Sequence, residues 1–282
     1  MEGHGDHWGC FGDVSRALAE LLPVAIAHSD GDIFVDKDFQ VPHPQTGEPA
    51  KVFSLANPGT DLRPLALLGS GPDSNEVWSA YPFAKRGTRH RLVIDDIEVW
   101  GNGIEARIQA TFADAAPVGF FDTLFHVNSC SYEVGKEYTF SLAGVAYSVE
   151  VIKPDPIRIT DPEAVERQRQ IWEHVGQELA LTEDGAVEFR LEGAAILLPI
   201  EGWDIDEYQF HGPVREVSSF RLERWTIHAI RVPVMVVDDQ DFDIILYVAD
   251  TCLKGPPPRP GDDIRGTMWL QGYLAEGGNG GR

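Results

Sequence analysis

The feature that most limits what this chain can become is a turn with a strand on either side. Gly101-Asn102-Gly103 supplies the positive-φ residues that a tight hairpin needs. Leu92 to Trp100 leads into it as a strand candidate. Ile104 to Phe112 leads out with strict alternation: Ile104, Ala106, Ile108 and Ala110 share one face, Glu105, Arg107 and Gln109 the other. A period of two fits a half-buried strand and no helix. Phe120 to Val127 and Tyr138 to Ile152 follow as further strands, with Gly135 turning the chain between them. Later, Val187 to Leu191 alternates and Ala194 to Ile200 reads as a buried strand. Upstream, Ile33-Phe34-Val35 is a short strand.

Two helices interrupt this pattern. Asp13 or Ser15 caps one carrying Leu18, Leu21 and Leu22, which stops near Pro23. Thr160-Asp161-Pro162-Glu163 has the spacing of a capping box with proline in the first turn. Behind it, Val165, Gln168, Trp172, Val175 and Leu179 form a stripe that Ile171 widens. The spacing predicts a helix over 161–180 that packs between or across β modules. Val41 to Tyr81 is rich in proline and glycine, which suits turns joined by short extended pieces.

The last third of the chain echoes the middle. Ile97-Glu98-Val99-Trp100 aligns with Leu222-Glu223-Arg224-Trp225, and Phe121-Asp122 through Val127 with Phe242-Asp243 through Val248. Cys130 and Cys252 follow at similar offsets, and Gly135 and Gly261 each open a last strand. The order predicts one supersecondary unit used twice. The expected organisation is a wrapping, irregular region with a short helix (1–90), a first β module (91–160), a linking helix (161–185), a second β module (186–276) and a flexible tail (277–282). The run Gly261-Asp262-Asp263-Ile264-Arg265-Gly266-Thr267-Met268-Trp269-Leu270-Gln271-Gly272-Tyr273-Leu274 resembles the closing strand pair of OB-like barrels in uncharacterised bacterial proteins. That resemblance implies a mainly β fold of two related OB-like barrel or sandwich modules with one or two accessory helices. It also implies a surface of the kind that binds oligonucleotides or oligosaccharides. It carries no catalytic residue with it.

Charge narrows the partners. Lys and Arg number 23 against 45 Asp and Glu, a formal charge of −22. Such a surface repels phosphate and argues against nucleic acid, and it suits a cation or a basic protein. Cys10, Cys130 and Cys252 are far apart with no CxxC pair, so neither a zinc site nor a disulfide framework is expected, and a reducing compartment is. No stretch approaches the roughly 18 apolar residues of a membrane span, and no basic leader precedes Ala17 to Ala27. The expected location is cytoplasmic, without membrane contact. Long apolar strands are compatible with a dimer and do not require one.

Several clusters have a functional reading beside a structural one. Lys85, Arg86, Arg89, His90 and Arg91 are the basic cluster; they either grip an anion or neutralise nearby carboxylates, and the acidic field favours the second role. Trp100, Trp225 and Trp269 could stack on bases or sugars, with core packing the competing role. Asp239, Asp241 and Asp243 alternate like the start of a calcium loop. The sixth position, however, is Ile244 rather than Gly, and the twelfth Asp250 rather than Glu. Asp30, Asp32, Asp36 and Asp38 read as charged ends of an edge strand. His4, His7 and Cys10 are a weak metal set, and Pro257-Pro258-Arg259-Pro260 a stiff loop with a polyproline look. His126 and Tyr247 occupy matching positions. No nucleophile elbow, phosphate loop or HExxH helix is present, and no cofactor is implied. These observations point to a non-catalytic protein whose acidic surface engages a basic protein partner. The alternatives are an OB-type binder of single-stranded nucleic acid or oligosaccharide, and a hydrolase-like enzyme with a carboxylate cleft containing His211 or His228.

Overall fold

The structure, a computed structural model, describes residues 4–27, 31–57, 59–71, 74–113, 115–153, 156–174, 179–189 and 191–279. A 3₁₀ segment, His4–Phe11, leads to α1 (Val14–Ala27), where Asp13 Oδ1 accepts the Arg16 N–H at 3.1 Å. Four strands then run up and down as one antiparallel sheet: β1 (Asp32–Pro42), β2 (Pro49–Ala56), β3 (Leu62–Ser70) and β4 (Asn75–Ala84). The proline-rich region is therefore a sheet and not irregular wrapping, and Ile33-Phe34-Val35 belongs to a strand of eleven residues. Proline lacks a ladder donor. Here Pro42 lies opposite Pro49, and Pro64 opposite Pro82, so the missing donors fall on facing positions.

The rest of the chain gives β5 (Thr88–Val99), β6 (Ala106–Phe112), β7 (Ala116–Asp122), α2 (Phe125–Asn128), β8 (Glu137–Ile152), β9 (Ile157–Ile159), α3 (Pro162–His174) and β10 (Val187–Phe189). It ends with β11 (Ile196–Pro199), β12 (Glu207–Pro213), β13 (Glu216–Leu222), β14 (Trp225–Val237), β15 (Gln240–Ala249) and β16 (Asp263–Asn279). The hairpin between β5 and β6 turns where its glycines place it. Gly103 takes φ +72°, and Asn102 Oδ1 accepts the Ile104 N–H at 3.1 Å. Glu105, expected on the outer face, is instead buried and accepts from Ser79 Oγ at 2.7 Å, because the first sheet covers that face.

The fold is mainly β and contains a closed five-stranded barrel. β5, β6, β7, β16 and β8 pair in that order, and β8 pairs back to β5. All contacts are antiparallel except β7 with β16. A second ring repeats the order. β14 pairs with β13 and β15, β15 runs parallel to β8, β8 pairs with β16, and β16 pairs with β12. The chain itself closes this ring, passing from β12 to β13 through Val214 and Arg215, whose N–H donates to Arg231 O at 2.9 Å. β8 and β16 are common to both rings. At about 3.3 Å per residue they reach roughly 50 Å, enough to serve two barrels. One apolar core runs through both, from Leu92 and Phe140 to Val232 and Phe242. A second core, with Trp8, Phe11, Tyr81, Phe83, Phe121, Trp225 and Trp269, lies between the first sheet, the 3₁₀ segment and the outer barrel wall.

Several expectations are corrected. The modules 91–160 and 186–276 do not close separately, since the first ring takes β16 from the later segment and the second takes β8 from the earlier one. Residues 261–274 are not a strand pair; from Asp263 they form one strand that continues to Asn279, into the supposed tail. The strand expected to reach Val127 stops at Asp122, whose Oδ1 accepts the Leu124 N–H at 3.0 Å and bends the chain into α2. The aligned Phe242–Val248 stays extended within β15. Cys130 and Cys252 do both lie in 3₁₀ turns preceding β8 and β16. α3 is capped by Asp161 Oδ1, which accepts the Ala164 N–H at 2.8 Å, but it does not pack between modules: Val165 alone is buried and Ile171 is exposed. Val175 lies outside the described residues. β11, expected to be buried, is a half-exposed edge.

Close passage of β8 and β16 requires small residues. A methyl group at Gly266 would collide with the Ser148 carbonyl, and one at Gly144 would lie 2.6 Å from Met268 Sδ. A thioether can swing aside and a ladder carbonyl cannot. Gly144→Ala should therefore cost about 1–3 kcal/mol and Gly266→Ala more, measured by denaturant unfolding; equal costs would argue that the strands part with ease.

Candidate functional site

The β8–β16 ladder carries one irregularity at its centre. Thr267 lies opposite Ser148 and Met268 opposite Ala146, so Tyr147 is an extra residue. A bulge of this kind re-aims a side chain. The Tyr147 hydroxyl meets His7 Nδ1 at 2.6 Å and donates to Glu207 Oε1 at 2.8 Å. His7 stacks on Trp269, centroids 3.9 Å apart and planes within 4°. Trp269 is buried in the second core and donates from Nε1 to Asp206 Oδ2 at 2.8 Å.

The turn between β11 and β12 supplies the opposite wall. Gly202 takes φ +79°, a left-handed conformation that suits glycine. The next residue, Trp203, is 54% exposed. Its ring meets Tyr147 edge to face, centroids 6.3 Å apart and planes at 67°. Gly9, Tyr147, Gly202, Trp203, Asp204 and Glu207 line a cavity of about 590 Å³. Asp204 Oδ1 is held by Arg107 Nη1 at 2.5 Å, and Arg107 lies over the Trp100 ring at 5.4 Å. Burial lifts the Asp206 carboxyl to about 6, against the pull of the Trp269 hydrogen bond. Its Oδ1 is buried without a hydrogen-bond partner among the described residues. Burial and the neighbouring Glu207 push the Tyr147 phenol far above its ordinary value, so it remains a donor. The site thus combines fixed negative charge with an exposed aromatic face.

Of the residues singled out from the sequence, His7 and Trp269 back this cavity, while the basic and acidic clusters lie elsewhere. Lys85 pairs with Asp32, Arg86 with Asp61 at 4.0 Å, and Arg91 with Glu137. Arg89 and Arg91 line a separate cleft with Arg231, Asp241 and Asp243. Asp241 and Asp243 are therefore engaged by arginines and not poised for calcium. Arg215 reaches Asp241 at 2.5 Å and Asp243 at 3.2 Å, and Arg231 reaches Asp243 at 3.0 Å. Asp239 lies in the turn before β15, at φ +60°. No group of three or more metal-ligating side chains comes together among the described residues.

The three tryptophans do not form a stacking platform. Trp225 and Trp269 are core residues, Trp225 donating to Phe11 O at 3.1 Å, and Trp100 is half-buried beneath Arg107. His7 is occupied in the stack, and Cys10 is buried with its carbonyl taking the Cys252 thiol at 3.1 Å; His4 and Asp30 have no described side chain. His126 is buried in α2 against Ser54 Oγ at 3.0 Å, its pKa lowered to about 4 by desolvation. Tyr247 donates to Arg86 O at 2.8 Å. His211 faces Asp263 at 3.5 Å, while His228 meets Ser219 on a different strand pair, so the two histidines share no cleft. Pro258 is buried, which anchors the proline loop. The site missed from the sequence had one legible signal, a tryptophan inside the acidic run Gly202-Trp203-Asp204-Ile205-Asp206-Glu207.

No protein-family model matches the chain, and neither does any curated protein. Among solved structures it is similar to the cytoplasmic molybdate-binding protein ModG with molybdate bound. Identity is 10%, the match covers 67% of this chain and 96% of that one, and the TM-score is 0.30. No helix among the described residues is long and apolar enough to cross a membrane.

Two buried carboxyls set a pH signature. Asp122 is lifted to about 7 by burial, although Tyr132 and the Leu124 N–H both bond to it. Asp206 is lifted to about 6. Each binds its proton more tightly in the folded chain, so its contribution is complete below the unfolded value of 3.8 and is lost as pH rises through the folded value. Asparagine does not titrate. The stability of Asp122→Asn relative to wild type should rise by about 1.4 kcal/mol per pH unit up to about pH 7 and then level off. Urea titrations at several pH values measure it; a flat difference would mean that Asp122 stays ionised when folded.

Proposed function

We propose that this protein is a non-catalytic, cytoplasmic binding protein whose acidic surface engages a basic protein partner. The observation that carries the reading is the cavity between Tyr147 and Trp203, where an exposed indole stands beside Asp204 and Glu207 on a chain of net charge −22. Large exposed aromatics next to charge that the fold only partly neutralises are typical anchors of a protein interface. The basic residues do not offset this, because Lys85, Arg86, Arg91, Arg215 and Arg231 are engaged with carboxylates of the same chain. The long-range negative field speeds encounter with a cationic partner, and the aromatic pocket gives the encounter a place to end.

Binding to a basic polypeptide such as polylysine tests the reading. Affinity should fall steeply, with slower association, as salt shortens the screening length from about 30 Å to about 8 Å. An association indifferent to salt, or equal binding of an acidic polypeptide, would remove the basis of the proposal.

A further inference from the structure

The cavity beside Tyr147 admits a more specific reading. We infer that it is a binding site for an alkylammonium head group, the group at the end of a lysine side chain, and that it favours the N-methylated forms. The inference rests on the proposed function for the source of the ligand, while the pocket chemistry stands by itself.

Two rings at 67° to one another make a corner. A rounded cation in such a corner is attracted by the ring quadrupole and loses little hydration when its nitrogen carries methyl groups. Carboxylates at the rim fix the sign of the charge. They are, however, already committed. Glu207 Oε1 accepts from the Tyr147 hydroxyl at 2.8 Å and Oε2 from the Asp204 N–H at 3.4 Å, while Asp204 Oδ1 is held by Arg107. A guanidinium needs an open carboxylate edge for its two parallel N–H bonds, and neither carboxylate offers one intact. A methylated ammonium asks for no acceptor; it needs negative potential and π faces, and the site provides both. The Tyr147 wall of the corner is also held in place. Tyr147 is a bulge residue locked on one side by His7, and His7 is locked by its stack on buried Trp269. A preorganised wall lowers the ordering entropy that binding costs.

Calorimetry of the full chain with choline, with its neutral isostere carrying carbon in place of nitrogen, and with methylguanidinium tests the chemistry. Choline should bind saturably at millimolar concentration and at least about tenfold more tightly than the isostere. Trp203→Ala should weaken choline about tenfold and Trp203→Phe less; Trp203 is more than half exposed, so both variants should keep the wild-type circular dichroism. Peptides with a central lysine or trimethyl-lysine separate the two sources: tighter binding of the trimethylated peptide than of choline assigns the ligand to a protein chain, and the reverse order assigns it to a free amine. Absent saturation, equal affinity for choline and isostere, tighter methylguanidinium, or indifference to Trp203→Ala overturns the inference. Loss of choline binding with salt-dependent polylysine binding intact would sink this pocket alone, and the converse would sink the acidic-surface reading alone.

Discussion

The antiparallel ladder between β8 and β16 is the constraint from which the rest of the molecule follows. It is the longest pairing in the structure, running from Asp263 opposite Ile152 to Leu274 opposite Phe140. Each strand pairs within one barrel over part of its length and within the other over the rest. The two rings therefore share a spine, and their interiors merge into one core. Small residues mark where the spine is tightest: a side chain at Gly144 would enter the space of Met268, and one at Gly272 the space of Phe120 and Leu142. The same ladder carries the Tyr147 bulge, so the element that holds the fold together also presents the candidate site.

Electrostatics divides the surface along lines the sequence only hinted at. Arginines on β5, β14 and the β12–β13 connection meet acidic residues of neighbouring strands, so the basic cluster is spent within the molecule. Near Trp203, Arg107 answers Asp204, and Asp206 is buried enough to hold its proton to about pH 6. Exposed ion pairs of this sort contribute little to stability; their effect is to decide which patches remain negative.

Much of the β framework could be read directly. The Gly101-Asn102-Gly103 turn, the alternation of β6 and the long apolar run of β8 are local patterns, and local patterns survive folding. The four-stranded N-terminal sheet was hidden because prolines that would break a ladder singly are tolerated when they face each other. The sharing of β8 and β16 was hidden because partner choice is not written in strand periodicity. Glu105 was misplaced because a face that alternation marks as outer becomes inner once a second layer covers it. The site was illegible for a further reason, since a bulge is a property of pairing between two strands. Trp203, apolar within an acidic turn, carried the one local signal, and the sequence reading passed over it.

Shared staves have a consequence for how the chain reaches this state. The first barrel cannot be completed until its last stave, some 120 positions beyond the previous one by the spacing of Phe140 and Gly261 in the chain, has arrived. Contacts of such separation are slow to find, and a chain rich in them folds late and cooperatively. The two barrels are then not independent parts that could be transplanted or lost one at a time. They assemble as a mutual clasp, in which each half supplies the piece that keeps the other from falling open.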